Sequence, residues 1–159
     1  MGNAQTRLSI EAEDPHSADA QYCLAAYFAE LDSRFPGGFD RLAGGAAAVE
    51  DFASPEGCLM LVRLDGRAVG CGALRTFEPA AGEIKRMWIA PQARGLGAGR
   101  KLLEALERRA RELGMRRVCL DTNASLREAL RLYRSAGYRE IGRFNDNPYA
   151  QHWFEKTLA

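Results

Sequence analysis

Histidine is scarce in this chain, and its cysteines are scattered. Two histidines and four cysteines (Cys23, Cys58, Cys71 and Cys119), with no C-x-x-C pair, offer no ligand spacing for a zinc site, so no metal is expected. The same scatter predicts reduced thiols and a cytoplasmic protein, with Cys119, inside an apolar run, in the core rather than acting as a nucleophile. No apolar run is long enough to span a bilayer, and the first residues are polar, without a leader-like apolar stretch. Neither sign of charge predominates: 22 Lys and Arg against 21 Asp and Glu leave a formal net charge of +1. That argues against nucleic acid or a membrane surface as a partner. Internal repeats, linkers and low-complexity tails are also missing. The 159 residues therefore predict a single domain, 1–159, burying about two-thirds of its unfolded surface.

What the chain does have is a strand, a glycine-rich turn and a helix in immediate succession. Glu83 to Ala90 is a β-branched and aromatic run that reads as a strand. Gly95, Gly97 and Gly99 follow at alternate positions, and a strongly helical segment then runs to Leu113. Such a turn can curl its N–H groups inward while the helix adds its dipole, a combination that holds phosphate oxygens. The spacing suits neither a P-loop, since no Gly-Lys-Ser/Thr closes it, nor a dinucleotide fingerprint, where Arg100 stands in place of the last small residue.

Around this centre the other elements fall in order. Residues 6–12 read as a strand. Ser17 or Asp19 caps a helix with apolar positions Ala20, Leu24, Tyr27, Phe28 and Leu31. A loop at Arg34–Phe39 and a small helix over Ala46–Phe52 follow, closed by Ser54-Pro55-Glu56-Gly57. Cys58–Leu64 and Arg67–Phe77 form a hairpin about Asp65-Gly66, with Gly70 and Gly72 marking a bulge or close approach. Along the next strand, Glu83, Lys85, Met87 and Ile89 are expected to share one face. In the helix after the glycines, Leu102, Leu103, Leu106, Ala110 and Leu113 are expected inside. Glu104/Arg108 and Glu107/Arg111 are expected as exposed pairs. Arg116–Asp121 is a strand, and Ser125-x-x-Glu128 reads as a capping box for a helix with the buried stripe Leu126, Ala129, Leu130 and Tyr133. Tyr138–Ile141 and Gln151–Leu158 are the last two strands.

Two motifs, each in its own element, resemble those of the GNAT superfamily of acyl-CoA N-acyltransferases. Gln92-Ala93-Arg94-Gly95-Leu96-Gly97 is similar to its Gln/Arg-x-x-Gly-x-Gly/Ala loop, and Leu132-Tyr133-Arg134-Ser135-Ala136-Gly137-Tyr138 to its Leu-Tyr-x-x-x-Gly-Phe/Tyr signature. The resemblance implies the α/β (α+β) GNAT fold: a central, mixed, mostly antiparallel and splayed sheet of six to seven strands, flanked by about four helices. It further implies transfer of an acetyl group from acetyl-CoA to a primary amine, with coenzyme A as cosubstrate.

The resemblance places main-chain groups of Met87, Trp88 and Ile89 along the pantetheine arm. Amides of Gln92, Ala93, Arg94, Gly95, Leu96, Gly97, Ala98 and Gly99 are expected at the pyrophosphate, and Arg94 or Arg100 at the adenosine phosphates or in solvent. Tyr133 is the candidate acid for the departing thiolate, or else a core tyrosine. Glu83 is the candidate base, or else a carboxylate paired with Lys85 or Arg86, and His152 is an alternative. Where the family often carries an asparagine to bond the cofactor arm, this chain has Leu126, and Asn123 is the nearby substitute. Arg34, Phe35, Arg75, Asn147 and Tyr149 are expected around a small-molecule acceptor that carries an anion beside its amine. A protein N-terminus or lysine as acceptor, a non-catalytic acyl-CoA sensor, and a homodimer remain open.

Overall fold

Ser17 starts the first helix. Its hydroxyl accepts from Ala20 N at 3.1 Å and donates to Glu13 at 2.8 Å, a cap that contributes about 1 kcal/mol. The computed structural model describes residues 7–40, 49–53 and 55–159. Its strands are β1 (Leu8–Glu13), β2 (Cys58–Leu64), β3 (Arg67–Glu78), β4 (Ala81–Ile89), β5 (Arg117–Thr122), β6 (Arg139–Ile141) and β7 (His152–Thr157). Its helices are α1 (Ala18–Arg34), α2 (Ala98–Glu112) and α3 (Arg127–Ser135). Among the described residues there are thus three α-helices, where about four were expected. The expected Ala46–Phe52 helix lies partly outside the described residues; its described part is one 3-10 turn, Val49–Phe52. Residue 6 of the first expected strand and Ser54 also lie outside.

The seven strands form one sheet in the order β1-β2-β3-β4-β5-β7-β6. Every pairing is antiparallel except β4 with β5. Asp65 and Gly66 both take positive φ (51° and 84°), the turn that Asp-Gly favours between two strands. Leu61, Leu74, Leu102 and Leu106 are fully buried between sheet and helices, each contributing roughly 1.5–3 kcal/mol.

β4 departs from regular alternation. Cys71 pairs with Trp88 but Ala73 with Lys85, so β4 carries one extra residue opposite Gly72. Arg86 takes φ 57° there, and its carbonyl accepts from the Cys71 thiol at 3.3 Å. The bulge corrects the expectation of a single face. Glu83 and Lys85 share a side with Trp88, which meets Tyr22 of α1 edge-on, whereas Met87 turns toward α2. A Cβ on Gly72 would lie 2.9 Å from Met87 Sδ and 3.0 Å from Leu106 Cδ1, so only glycine fits opposite the bulge.

Two further expectations are revised. Glu107 is not on the solvent face: it is 4% exposed, accepting from Tyr138 Oη at 2.8 Å and Lys156 Nζ at 2.9 Å. The helical period marks it as polar, but β6 and β7 cover that flank. Nor do Ser125 and Glu128 form a capping box. Leu126 is the N-cap without a side-chain bond, Ser125 Oγ donates to Asn123, and Glu128 turns to Arg34.

Candidate active site

β4 and β5 pair only over Ala81–Glu83 and Arg117–Cys119. Beyond them β5 stays with β7 and β4 bends away at its bulge, so the sheet opens into a notch. Ala90 N donates to Val69 O at 2.7 Å. Strand alternation then turns the main-chain groups of Met87 and Ile89 toward the notch and those of Trp88 toward β3. Arg94 closes part of that edge: its Nε donates to Ile89 O at 2.9 Å, and its guanidinium pairs with Glu30 of α1.

Gln92 and Ala93 belong to a 3-10 turn, Pro91–Ala93, and the glycine loop follows. Gly95 and Gly97 take φ 83° and 75°, and Gly97 is the N-cap of α2. The first helical bond is Lys101 N to Gly97 O, 3.1 Å. The N–H groups of Ala98, Gly99 and Arg100 therefore have no helical acceptor and point, with the positive end of the helix dipole, at the loop's concavity. Nothing lies within 4 Å of where a Cβ on Gly95 or Gly97 would sit. An open concavity, or nest, lined by orphan amides at a helix N-terminus is the arrangement that favours anions. Arg100 donates to Ser135 Oγ at 2.6 Å and ties α2 to α3.

Nest, strand edge and the inner face of α3 enclose a cleft of about 380 Å³. A smaller slot of about 100 Å³ lies beyond it, toward the loop after α1 and the loop before β7. The two share Met87, Leu126, Ala129 and Tyr133. Tyr133 is 5% exposed, held between Tyr138 and Phe154 at 6.0 and 6.2 Å between ring centroids. Burial, and secondarily the Asp121 carboxylate, push its phenol well above the ordinary value, so it carries its proton throughout the physiological range.

Of the expected acceptor residues, Phe35, Asn147 and Tyr149 line the slot. Arg34 does not: it reaches across the larger cleft, donating to both oxygens of Glu128 and to Ser125 O at 2.8 Å. Arg75 does not line the slot either, because its guanidinium lies 2.8 Å from Glu83 and 3.7 Å from Asp51. Asn123, expected at the cofactor arm, is on the slot rather than the larger cleft; it donates to Tyr149 O at 2.7 Å and accepts from Ser125 N at 2.9 Å, fixing the turn before α3. His152 pairs with Glu140 at 2.7 Å, away from both clefts.

Glu83 is 3% exposed and its oxygens are engaged by Arg75, Lys85 (3.5 Å) and Asn145 (3.3 Å). The carboxylate that does line the slot is Asp121, which sequence reasoning passed over. Asn145 donates to it at 2.5 Å and Asn147 at 3.1 Å. Trp153 Nε1 donates to Asn145 Oδ1 at 3.0 Å, which turns the Asn145 amide so that its NH₂ bridges Asp121 and Glu83. One signal was available: Asp121 is the charged residue that closes the apolar run Val118-Cys119-Leu120, and it lies just past the point where β4 and β5 part, the kind of place where open sheets take ligands.

A strand edge left open by the parting of β4 and β5, a glycine turn with orphan amides at a helix N-terminus, and a buried phenol where two clefts meet are the features of this site. The sequence model of the acetyltransferase (GNAT) family matches residues 20–138, and the chain belongs to that family of acyl-CoA-dependent acyltransferases. It is 37% identical over 102 residues to an IAA acetyltransferase of Azospirillum brasilense, covering 64% of this chain and 65%, just under two thirds, of that relative. It is 32% identical over 120 residues to an uncharacterised N-acetyltransferase of Schizosaccharomyces pombe, 74% of this chain and 72% of the relative. Its fold superposes on the N-acetylglutamate synthase of Neisseria gonorrhoeae, solved with coenzyme A and N-acetyl-glutamate, with a TM-score of 0.71 at 22% identity, covering 95% of this chain and 35% of that one.

Proposed function

We propose that this protein transfers an acetyl group from acetyl-CoA to the primary amine of a small molecule. The observation that carries the reading is Tyr133, a buried phenol at the junction of a nest-and-edge cleft with a separate slot lined by a carboxylate. The larger cleft suits coenzyme A: its nest offers main-chain donors to the pyrophosphate, each such charge-assisted bond contributing about 1.5–3 kcal/mol, and the Met87 and Ile89 edge can pair with an extended arm. The slot suits the acceptor and is small, which favours a free amine over a protein segment.

In this reading Asp121 serves as the base. A lysine-like amine of pKa near 10.4 needs roughly 4–5 kcal/mol to be neutral at pH 7, so a carboxylate that takes its proton lowers the barrier. The neutral nitrogen attacks the thioester carbonyl, the C–S bond breaks, and Tyr133 gives its proton to the sulfur. The proton lost from the new amide returns to Tyr133, and the one on Asp121 leaves to solvent, so one proton is released per turnover. Glu83, expected as the base, becomes a positioning residue that anchors Arg75 and Lys85 and reaches Asp121 only through Asn145.

The test is thiol release from acetyl-CoA with an amine panel across pH. Asp121→Asn should depress the rate most near neutrality and recover at high pH, where the amine deprotonates unaided. Glu83→Gln should lower it to a similar extent at every pH. The reverse pattern would return the base to Glu83, and no thiol release with any amine would sink the transfer reading.

A further inference from the structure

The acceptor slot has an uneven distribution of charge, and this speaks to what enters it. Among the described residues, three charged side chains line it: Lys85, Arg86 and Asp121. Lys85 Nζ lies 3.5 Å from Glu83 and is itself mostly buried. Arg86 has its guanidinium stacked between two rings, 5.3 Å from the Phe28 centroid and 4.8 Å from that of Phe52. The two arginines expected to receive an anion, Arg34 and Arg75, are engaged by Glu128 and Glu83 outside the slot. Asp121 differs from Lys85, Arg34 and Arg75, each of which faces a carboxylate. Its oxygens are oriented by the neutral amides of Asn145 and Asn147, and among the described residues no cationic side chain lies within 4.0 Å of it. Neutral donors satisfy a carboxylate's lone pairs without cancelling its charge, which leaves it to attract a cationic guest.

The outer wall of the slot is aromatic. Phe28, Phe35, Phe39 and Tyr149 come from two loops and α1 and form one continuous group. Tyr149 lies 4.6 Å from Phe39 and 5.5 Å from Phe35 between centroids, and Phe28 is stacked on Phe39 at 5.9 Å. Tyr149 Oη, the polar end of that wall, accepts from Asp40 N at 2.8 Å, so the ring rather than the hydroxyl is presented inward. A wall of offset rings favours another ring, or a branched apolar group, over water.

We propose, resting on the transfer reading above, that the acceptor is a primary ammonium carried on an aromatic or bulky apolar group. Asp121 holds its charge, the four rings hold its side chain, and no carboxylate is needed. The ammonium sits at the inner end beside Tyr133, where the acyl carbon is delivered, and the apolar group points outward between the two loops.

The experiment compares four amines as acceptors for acetyl-CoA: 2-phenylethylamine, phenylalanine, ethylamine and alanine. The quantity read is kcat/KM for thiol release. The ring should be worth more than about tenfold, the lower end of what a hydrophobic pocket gives for a single methylene: 2-phenylethylamine over ethylamine, and phenylalanine over alanine. Phenylalanine should be no better than 2-phenylethylamine. Tyr149→Ala should pull the phenylethylamine-to-ethylamine ratio toward one, and a ratio is insensitive to the fraction of enzyme that is correctly folded. Equal use of ethylamine and 2-phenylethylamine overturns the proposal while leaving acetyl transfer standing. A tenfold preference for phenylalanine over its decarboxylated amine overturns the claim that no carboxylate is needed. Failure of every amine overturns the transfer reading itself.

Discussion

The two clefts that meet at Tyr133 are made of different material. The larger is built from main chain: a strand edge, the amides of a left-handed glycine turn and the first orphan N–H groups of α2. The smaller is built from side chains of α1, β4, β5, α3 and two loops. A main-chain site depends on backbone geometry and recognises groups common to many molecules, such as diphosphates and amides. A side-chain site is rewritten by single substitutions and so sets which acceptor is used. This division lets one scaffold keep its acyl carrier while its acceptor changes, and it tells apart the effects expected of mutations on either side.

The largest effect is expected where the clefts join. Tyr133→Phe removes one hydroxyl from a ring that remains packed between Tyr138 and Phe154. Turnover should fall by about 10²–10⁴, the usual contribution of a general acid, while coenzyme A affinity measured by calorimetry stays near that of the wild type. Turnover within twofold of wild type would make Tyr133 a core residue that happens to border both clefts.

On the main-chain side, saturating coenzyme A at about a hundred times Kd should stabilise the protein by roughly 2.7 kcal/mol, read as a rise in Tm. Gly97→Val should abolish that rise, because a branched side chain is strained at φ 75° and occupies the space of the phosphate. Circular dichroism of the variant checks that the fold survives. A folded variant that keeps the full shift would take the loop out of the cofactor site.

The same division explains what could be read before any coordinates. The glycine loop and the Asp65-Gly66 hairpin are local patterns in which spacing dictates geometry, and the tyrosine signature is a local pattern known by resemblance; each falls in the element expected of it. The mixed sheet of six to seven strands was implied by the resemblance to the GNAT family, and the seven observed strands agree with it. The smaller slot is assembled from residues far apart in sequence, and the expectations about it that the structure revises are non-local. Arg34 was expected either at the acceptor or paired within its own loop with Asp32 or Asp40; its partner is Glu128, 94 positions away. Arg75 looked free because the β3–β4 register that sets it beside Glu83 depends on where that hairpin turns. The bulge at Arg86 was invisible because nothing in Lys85-Arg86-Met87 requires positive φ, so every later face assignment on β4 slipped by one.

The smallest effect tests what holds the main-chain cleft to width. Arg34 and Glu128 form a strap between α1 and α3 over the opening of that cleft. The Arg34 guanidinium, by direct hydrogen bonds, lowers the Glu128 carboxyl from 4.5 to about 2. A carboxyl with a depressed folded pKa contributes stability that is fully present above its unfolded value and is lost as pH falls through its folded value. The strap therefore acts fully above about pH 4.5 and is gone below about pH 2. Glu128 is 55% exposed, so solvent screening reduces what the shift alone would suggest to the 0.2–1 kcal/mol typical of exposed pairs. Glu128→Gln should lower Tm slightly at pH 7, and the gap from wild type should close as pH falls across that window. In the same variant, loss of the strap should speed dissociation of coenzyme A without altering the preference among amines, because the acceptor slot has no part in it. A variant that changes amine preference as well would show that the two clefts are not independent.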